Sequence, residues 1–480
     1  SHLVYLAHLD IMDKLPRIMI AGTNSGVGKT TVTLGIMSAM VQKGIKVQGF
    51  KAGPDYIDPS HHTFVTGNAS KNRDTWMMGE NACRELFERS ALNADVSVIE
   101  GVMGLYDGSI DSSGHGSSAH LAKILNIPVI LVVNARGVAQ SAGAVVMGFM
   151  EFDKEINLAG IILNNVASQN HYDIIKKAIE ESCSVAVLGY LKKESDITIP
   201  ERHLGLIPSE EKKINSALYD KLGQMVLETI DIDKLQEIAG SAAVFPDYNK
   251  SIFIERGSSS DVTLAVARDS AFCFYYQDDI DLFEALGAKI IEFSPLADKS
   301  LPDGIDGIFM GGGFPELFAD RLMKNESMRK SILEAHKQGI IIYGECGGMM
   351  YLLEKLIDCE GRSFKMSGVL IGTSRMENRR QGLGYVITDV TCDNIICKSA
   401  DTFRAHEFHW SKLQDVPDDT VFAYNTRKSN GKKTGIDGIC KSNVLASYTH
   451  IHFSSNPDLA KSILSTMAKR SKHKLVAERM

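Results

Sequence analysis

The 480-residue chain contains no apolar run approaching the ~18 residues that a membrane-spanning helix requires. Nor does it carry a surplus of positive charge. Its 52 Lys and Arg stand against 59 Asp and Glu, a formal net charge of −7, which argues against a general grip on nucleic acid. An acidic small substrate is still compatible with that balance, because a local basic pocket can sit on an acidic protein. The eight cysteines include no Cys-x-x-Cys pair. The nearest two, Cys392 and Cys397, match no common zinc spacing, so no structural metal is expected. The opening "SHLVYLAHLDIMDKLPR" lacks the basic start and small-residue cleavage site of a signal peptide and reads as an extension ahead of the first strand. Reduced thiols in a cytoplasm are the matching expectation. Repeats at solenoid period and low-complexity tracts are lacking too.

What is present is an ordinary globular composition, 44% apolar and 23% charged, on a chain longer than one hydrophobic core usually serves. In the first half, short β-branched runs at Ile18–Ala21, Val47–Phe50, Val96–Glu100, Val129–Asn134 and Gly160–Leu163 alternate with helical patterns. Such alternation predicts a parallel sheet covered by helices on both faces. The pattern restarts with "DVTLAVARD", "KIIEFSP", "GIDGIFMGGG" and "GIIIYGECGG". The expected organisation is therefore an N-terminal extension over residues 1–16, an α/β phosphate-loop domain over 17–245, a polar linker over 246–260, a second α/β domain over 261–468, and a mobile basic tail over 469–480.

The stretch "IMIAGTNSGVGKTTVTLG" joins a strand to a helix through glycines. That is the arrangement in which backbone amides and a helix N-terminus hold phosphate. Gly26 and Gly28 supply backbone freedom, Lys29 is placed for the β/γ-phosphates, and the Thr30 hydroxyl for Mg²⁺; Thr31 follows on the same helical turn. Five residues separate Gly22 from Gly28, one more than the strict pattern allows. In "GFKAGPDYIDPSHH", Lys51 sits at a strand exit facing the ligand crevice. Asp55 and Asp58 read either as Mg²⁺ ligands or as turn residues around two prolines. "VSVIEGVMGLYDG" places Glu100 at the end of a buried strand, where an acid is costly unless a metal or hydrogen bonds satisfy it.

The loop spelling resembles the dethiobiotin-synthetase-like phosphate-loop proteins, which make acyl phosphates. "FKAGPDYIDPSHH", "EGVMGLYDG" and "IPERHLGLIPSEE" narrow the resemblance to the a,c-diamide synthases of corrinoid and related tetrapyrrole pathways, the cobyrinic acid a,c-diamide synthase family, over Arg17 to about Leu464. The resemblance implies ATP and Mg²⁺ and a tetrapyrrole bearing acetate side chains. It also implies substrate contacts from Tyr56 and Asp107. Asn164 and Asn165 read either as adenine contacts or as turn residues. Nickel-sirohydrochlorin is the alternative acceptor, a partitioning-type switch ATPase the alternative class, and a homodimer the expected assembly.

"GIIIYGECGGMMYLLEKL" has the form of a nucleophile elbow, a strand and a helix joined by a tight glycine-flanked turn that exposes Cys346. By itself it is equally a packing corner. Gly311, Gly312 and Gly313 follow another strand and, with Gly347, are suited to offer N–H groups to an oxyanion. "LASYTHIHFSSNP" supplies His450 and His452 as candidate bases. Cysteine, glycine loop and late histidine in that order resemble the class I glutamine amidotransferase domain, which implies glutamine as substrate. Most members carry His-x-Glu, whereas this chain has His450-Ile451-His452. His450 is assigned as base and His452 to the orienting place, with exchange of the two left open. His406, Glu407 and His409 in "RAHEFHWS" read as metal ligands or, preferably, as hydrogen-bonded strand residues.

Overall fold

The computed structural model describes residues 15–109, 114–192, 201–202, 205–206, 216–253 and 261–478. The first fourteen residues, most of "IPERHLGLIPSEE" and residues 254–260 of the expected linker lie outside them. The chain divides into two compact units after Lys250.

In the first unit, among the described residues, seven strands form one sheet: β1 (Arg17–Gly22), β2 (Val47–Ala52), β3 (Lys71–Arg73), β4 (Val96–Glu100), β5 (Val129–Asn134), β6 (Leu158–Val166) and β7 (Val187–Lys192). They are parallel, in the order β3-β2-β4-β1-β5-β6-β7. Every residue of β1, β2 and β4 is buried, the polar Arg17, Gln48, Lys51, Ser97 and Glu100 included, as in a parallel sheet covered on both faces. β1 sits centrally between β4 and β5, so the loops leaving β1, β2 and β4 converge on one crevice at the carboxyl ends of the strands. Helix α1 (Lys29–Gln42) is buried on nearly all sides. A Cβ on its Gly35 would come within 2.6 Å of Val226 on a neighbouring helix, so the two helices lie in close contact.

Residues 246–250 are not linker. Phe245 stacks on Phe87 at 5.6 Å and lies under the Arg17 guanidinium at 5.3 Å. The Tyr248 hydroxyl donates to Glu88, and Asn81 exchanges two hydrogen bonds with the Asn249 backbone. The Tyr248 hydroxyl and the Asn249 backbone thus tie the segment to the first unit, while Asp247, Asn249 and Lys250 remain exposed.

The second unit opens with four parallel strands, β8 (Val262–Ala267), β9 (Ala288–Phe293), β10 (Gly307–Met310) and β11 (Ile341–Glu345). Among the described residues, six more extend the same sheet: β12 (Gly382–Val390), β13 (Thr402–His409), β14 (Phe422–Arg427), β15 (Lys433–Lys441), β16 (Val444–Ser447) and β17 (Thr449–His450). The order is β9-β8-β10-β11-β16-β15-β14-β12-β13-β17. β16 joins β11 in parallel, and everything beyond it is antiparallel. The basic segment expected to be a mobile tail instead continues the helix Pro457–Glu478. The apolar spacing of its first half, with Leu459, Ala460, Ile463, Leu464 and Met467 buried, seats the helix from which the basic residues run on.

Candidate active site

The phosphate loop spans residues 23–28, between the end of β1 and the start of α1. Gly28 caps the helix at φ 96°, and a Cβ there would lie 2.1 Å from Asn164 Nδ2, so only glycine fits. Gly26 also has positive φ, and Thr31 lies in the first turn of α1. Lys29 folds back over the loop with Nζ 3.3 Å from the Asn24 carbonyl. Burial and then the Lys51 charge lower the Lys29 ammonium from its ordinary value, against support from Glu100, Asp58 and Asp107. An anion placed at the loop would relieve both effects. Asn164 Nδ2 donates to the Val27 carbonyl at 2.9 Å. That amide is thus part of the loop wall. Asn165 lies outside it, bonded to Asn134.

Beside the loop lies a buried charge cluster. Thr30 Oγ1 donates to Glu100 Oε1 at 2.6 Å, and Lys51 Nζ lies 2.9 Å from the same oxygen, 2.5 Å from Asp58 Oδ2 and 4.0 Å from Asp55 Oδ2. Three carboxylates therefore converge on one ammonium. Burial alone would lower Lys51, but Asp58, then Glu100 and Asp55, more than reverse this and hold it protonated. Burial would likewise raise Glu100, yet Lys51, His62 and Thr30 hold it below the usual carboxylate range. Asp58 goes the other way. Burial and then its two acidic neighbours push it well above its ordinary value. The cluster thus has more negative charge than Lys51 can balance, and all the oxygen donors are hard ones, the set that Mg²⁺ prefers. Among the described residues no three acidic or imidazole groups are already spaced around an ion. The carboxylates are drawn onto Lys51, and a cation would have to share them with it.

His62 completes this cluster and was given no role in the sequence reading. It stands one turn after Asp58 on helix α2 (Ile57–Thr66), with Nε2 2.7 Å from Glu100 Oε2 and Nδ1 3.2 Å from Ser70 Oγ. Tyr56 is the residue before α2. Asp107 Oδ2 accepts the Gly104 amide at 2.9 Å, and Leu105 N donates to the Gly22 carbonyl at 2.8 Å. The Glu100–Asp107 turn is therefore tied to the phosphate loop, and Asp107 is exposed beside it.

In the second unit, Cys346 follows β11 directly, with φ 45° and ψ −101°. A non-glycine residue there costs about 1–3 kcal/mol, held in place by its surroundings. Its N–H donates to the Ser447 carbonyl at 2.7 Å, and helix α3 (Gly347–Leu352) starts at once. A Cβ on Gly348 would stand 2.0 Å from the Met310 carbonyl oxygen, so β10 and the elbow can approach this closely only through glycine. Gly347 faces Gly313: a Cβ on Gly347 would come within 3.0 Å of the Gly313 nitrogen. One on Gly312 would come within 2.9 Å of His450 Cε1. The glycine loop, elbow and imidazole are thus mutual neighbours, and the first-turn amides of α3 have no acceptor within the helix.

His450 is buried beside Cys346, whose charge acts on it, and the Cys346 Sγ lies 3.8 Å from the Phe408 carbonyl. Its Nδ1 lies 3.5 Å from Glu345 Oε2. Burial disfavours the imidazolium, but Cys346 and Glu345 overcome this and raise His450 to about 10. His452 is turned elsewhere. Its Nδ1 is 3.4 Å from Asp279 Oδ1, Nε2 is 4.0 Å from Asp278 Oδ2, and the ring packs on Tyr276 at 4.6 Å. The structure thus puts His450 at the cysteine and brings no part of the expected orienting contact from His452. The carboxylate beside His450 is Glu345, which the sequence reading passed over. His406, Glu407 and His409 lie on β13 as the strand reading preferred. His409 stacks on Tyr448 at 3.9 Å, and burial lowers His406 to about 3 and raises Glu407 to about 7.

Residues 18–207 match the family model described as a CobQ/CobB/MinD/ParA nucleotide binding domain, and residues 263–458 match a CobB/CobQ-like glutamine amidotransferase domain. Fold and sites together define a two-unit carbon–nitrogen ligase that takes its nitrogen from glutamine. Proteins described as cobyrinate a,c-diamide synthase are similar over nearly the whole chain. The Priestia megaterium protein is 42% identical, covering 92% of this chain and 94% of its own. That of Listeria monocytogenes (strain EGD-e) is 44% identical, covering 92% and 97%. That of Methanothermobacter thermautotrophicus is 42% identical, covering 92% and 98%. The chain belongs to the cobyrinate a,c-diamide synthase family. No described helix is long and apolar enough to cross a membrane.

Proposed function

We propose that the protein converts the a- and c-acetate side chains of a tetrapyrrole, cobyrinate, to amides, using ATP and glutamine. The observation that carries this reading is the pairing, in one chain, of a phosphate loop beside an acidic cluster with a strained cysteine beside a buried histidine. Either alone fits many proteins; together they fit carboxylate activation coupled to ammonia release.

In the second unit, His450 carries its proton at neutral pH, held there by Cys346 and Glu345, and the Cys346 sulfur, paired with that imidazolium, attacks the glutamine carboxamide carbon. Amides of Gly347 and of the Gly312–Gly313 turn receive the charge developing on oxygen. His450 gives its proton to the departing nitrogen, and water then cleaves the γ-glutamyl thioester. In the first unit, Lys29 and the loop amides hold the triphosphate while its γ-phosphoryl group passes to a substrate carboxylate. Ammonia displaces phosphate from that carbon to leave the amide. A Mg²⁺ ion, held by Thr30, Asp55, Asp58 and Glu100, supplies charge neutralisation when bound. Tyr56 and the exposed Asp107 contact the tetrapyrrole, and Asn164 contacts adenine through the oxygen that its bond to Val27 leaves over.

The test is mass spectrometry of cobyrinate and nickel-sirohydrochlorin, offered separately and in competition with ATP, Mg²⁺ and glutamine. Two acid-to-amide conversions on cobyrinate are expected. Conversion of nickel-sirohydrochlorin instead would move the enzyme to the other acceptor. ATP hydrolysis with neither tetrapyrrole changed and no glutamine consumed would contradict the reading and favour a switch ATPase.

A further inference from the structure

The His-x-Glu arrangement has no acid to offer in this chain, since position 452 is histidine and faces Asp279 and Asp278. We infer that Glu345, the residue immediately before the nucleophile, positions His450 for glutamine hydrolysis; this rests on reading Cys346 and His450 as the glutaminase pair.

The geometry is specific. Glu345 and His450 have side chains 3% and 1% exposed, and Oε2 faces Nδ1 at 3.5 Å. The other oxygen, Oε1, accepts the Tyr343 hydroxyl at 2.6 Å and the Ile451 amide at 3.1 Å. Two donors therefore fix the carboxylate, and one of them belongs to the residue after His450. A single acid holds both the imidazole and the backbone that carries it. The sharp turn at Cys346 lets consecutive residues, 345 and 346, reach the same ring. With Nδ1 turned to the carboxylate, Nε2 serves the sulfur, and the imidazolium paired with it is stabilised.

Other groups around His450 do not fill this role. His406 stands opposite it in the β13–β17 register and is uncharged at neutral pH, as burial dictates. Glu407 stands opposite Thr449, on the other face of the strand, and burial leaves it partly protonated near neutrality. His409 is engaged with Tyr448 and the Ser411 carbonyl. Among the described residues, the carboxylate paired with Nδ1 is Glu345.

The experiment measures glutamate release and ATP-dependent amidation from free ammonia in the full chain, wild type against Glu345→Gln. The expected result is a fall in glutamine kcat of about 10²–10³-fold, with KM for glutamine within about threefold. The alkaline limb of the kcat profile moves to lower pH, because the imidazolium loses its counter-charge. Amidation from ammonia persists. A change within threefold in kcat with an unmoved limb overturns the inference, and so does an equal loss of both activities with an unmoved limb. If Glu345→Gln does not fold, Tyr343→Phe decides. Loss of the hydroxyl that fixes Oε1 lowers kcat about 3–10-fold at constant KM, and an unchanged kcat overturns the inference. A wild-type protein that releases no glutamate would refute the glutaminase reading itself, which separates the two failures.

Discussion

The Thr30 hydroxyl donates to Glu100 Oε1 at 2.6 Å, binding the first turn of the phosphate-loop helix to the exit of the neighbouring strand. Lys51 bonds the same oxygen. A buried acid in this position is satisfied by a hydroxyl, an ammonium and an imidazole together, so removing its charge disturbs all three. Glu100→Gln is expected to lower amide synthesis by about 10²-fold or more while glutamate release changes only a few-fold. Comparing ammonia-dependent amide formation with glutamine hydrolysis checks this. Equal losses in both would take Glu100 out of the synthetase site.

Cys346 separates catalysis from stability. Cys346→Ala should abolish glutamine use and spare amidation from free ammonia. Cys346→Gly should be equally inactive yet more stable than the alanine variant by about 1 kcal/mol, since glycine accepts φ 45° without strain. Thermal unfolding of the two variants measures the difference.

Charge on His450 sets a pH window. Its folded value is raised to about 10 against an ordinary value of about 6.5. The imidazolium therefore contributes its stability fully below the ordinary value, and the contribution is lost as pH rises through the folded one. Glutaminase kcat should fall over the same alkaline range, while His452→Gln leaves that limb in place. A limb centred near 6.5 would contradict the environment described for His450.

Close approach is tested by two glycines. Gly348→Ala puts a Cβ 2.0 Å from the Met310 carbonyl oxygen and should destabilise the protein by about 1–3 kcal/mol or more, with loss of glutaminase. Gly148→Ala, on the helix Ser141–Phe152, meets no atom within 4 Å. It should be neutral or stabilising by up to about 1 kcal/mol. Denaturant unfolding curves give both values.

The strands that carry the sites were readable because each holds a short, mostly apolar run, and β1, β4, β10 and β11 end at or just before glycine or an acid. β1, β2, β4, β8, β10 and β11 lie where those runs lie. Proximity of Cys346 to a late histidine was readable from motif order, but the orienting place was given to His452 by analogy, while the carboxylate beside His450 is Glu345. Glu345 carries the same signal that singled out Glu100, an acid at the exit of a buried strand, and the cysteine next to it drew attention away. His62 was hidden because a histidine on a helix face signals nothing until Glu100 is placed opposite it by folding. The antiparallel half of the second sheet rests on contacts such as His406 with His450, distant in sequence and without local pattern. Residues 246–250 looked like linker because their partners, Asn81 and Glu88, lie far upstream. Asn164 was read either as an adenine contact or as a turn residue; its amide braces the loop at the Val27 carbonyl, a role without a local sequence signal.

The most direct test of the account is the fate of nitrogen from glutamine labelled with ¹⁵N at its amide. The protein would be supplied with ATP, Mg²⁺, cobyrinate and unlabelled ammonium below its saturating level. The account predicts two ¹⁵N amides per tetrapyrrole, with one glutamate and one ATP consumed for each, and no label in product made by Cys346→Ala. Label in the released ammonia but none in the tetrapyrrole would contradict it.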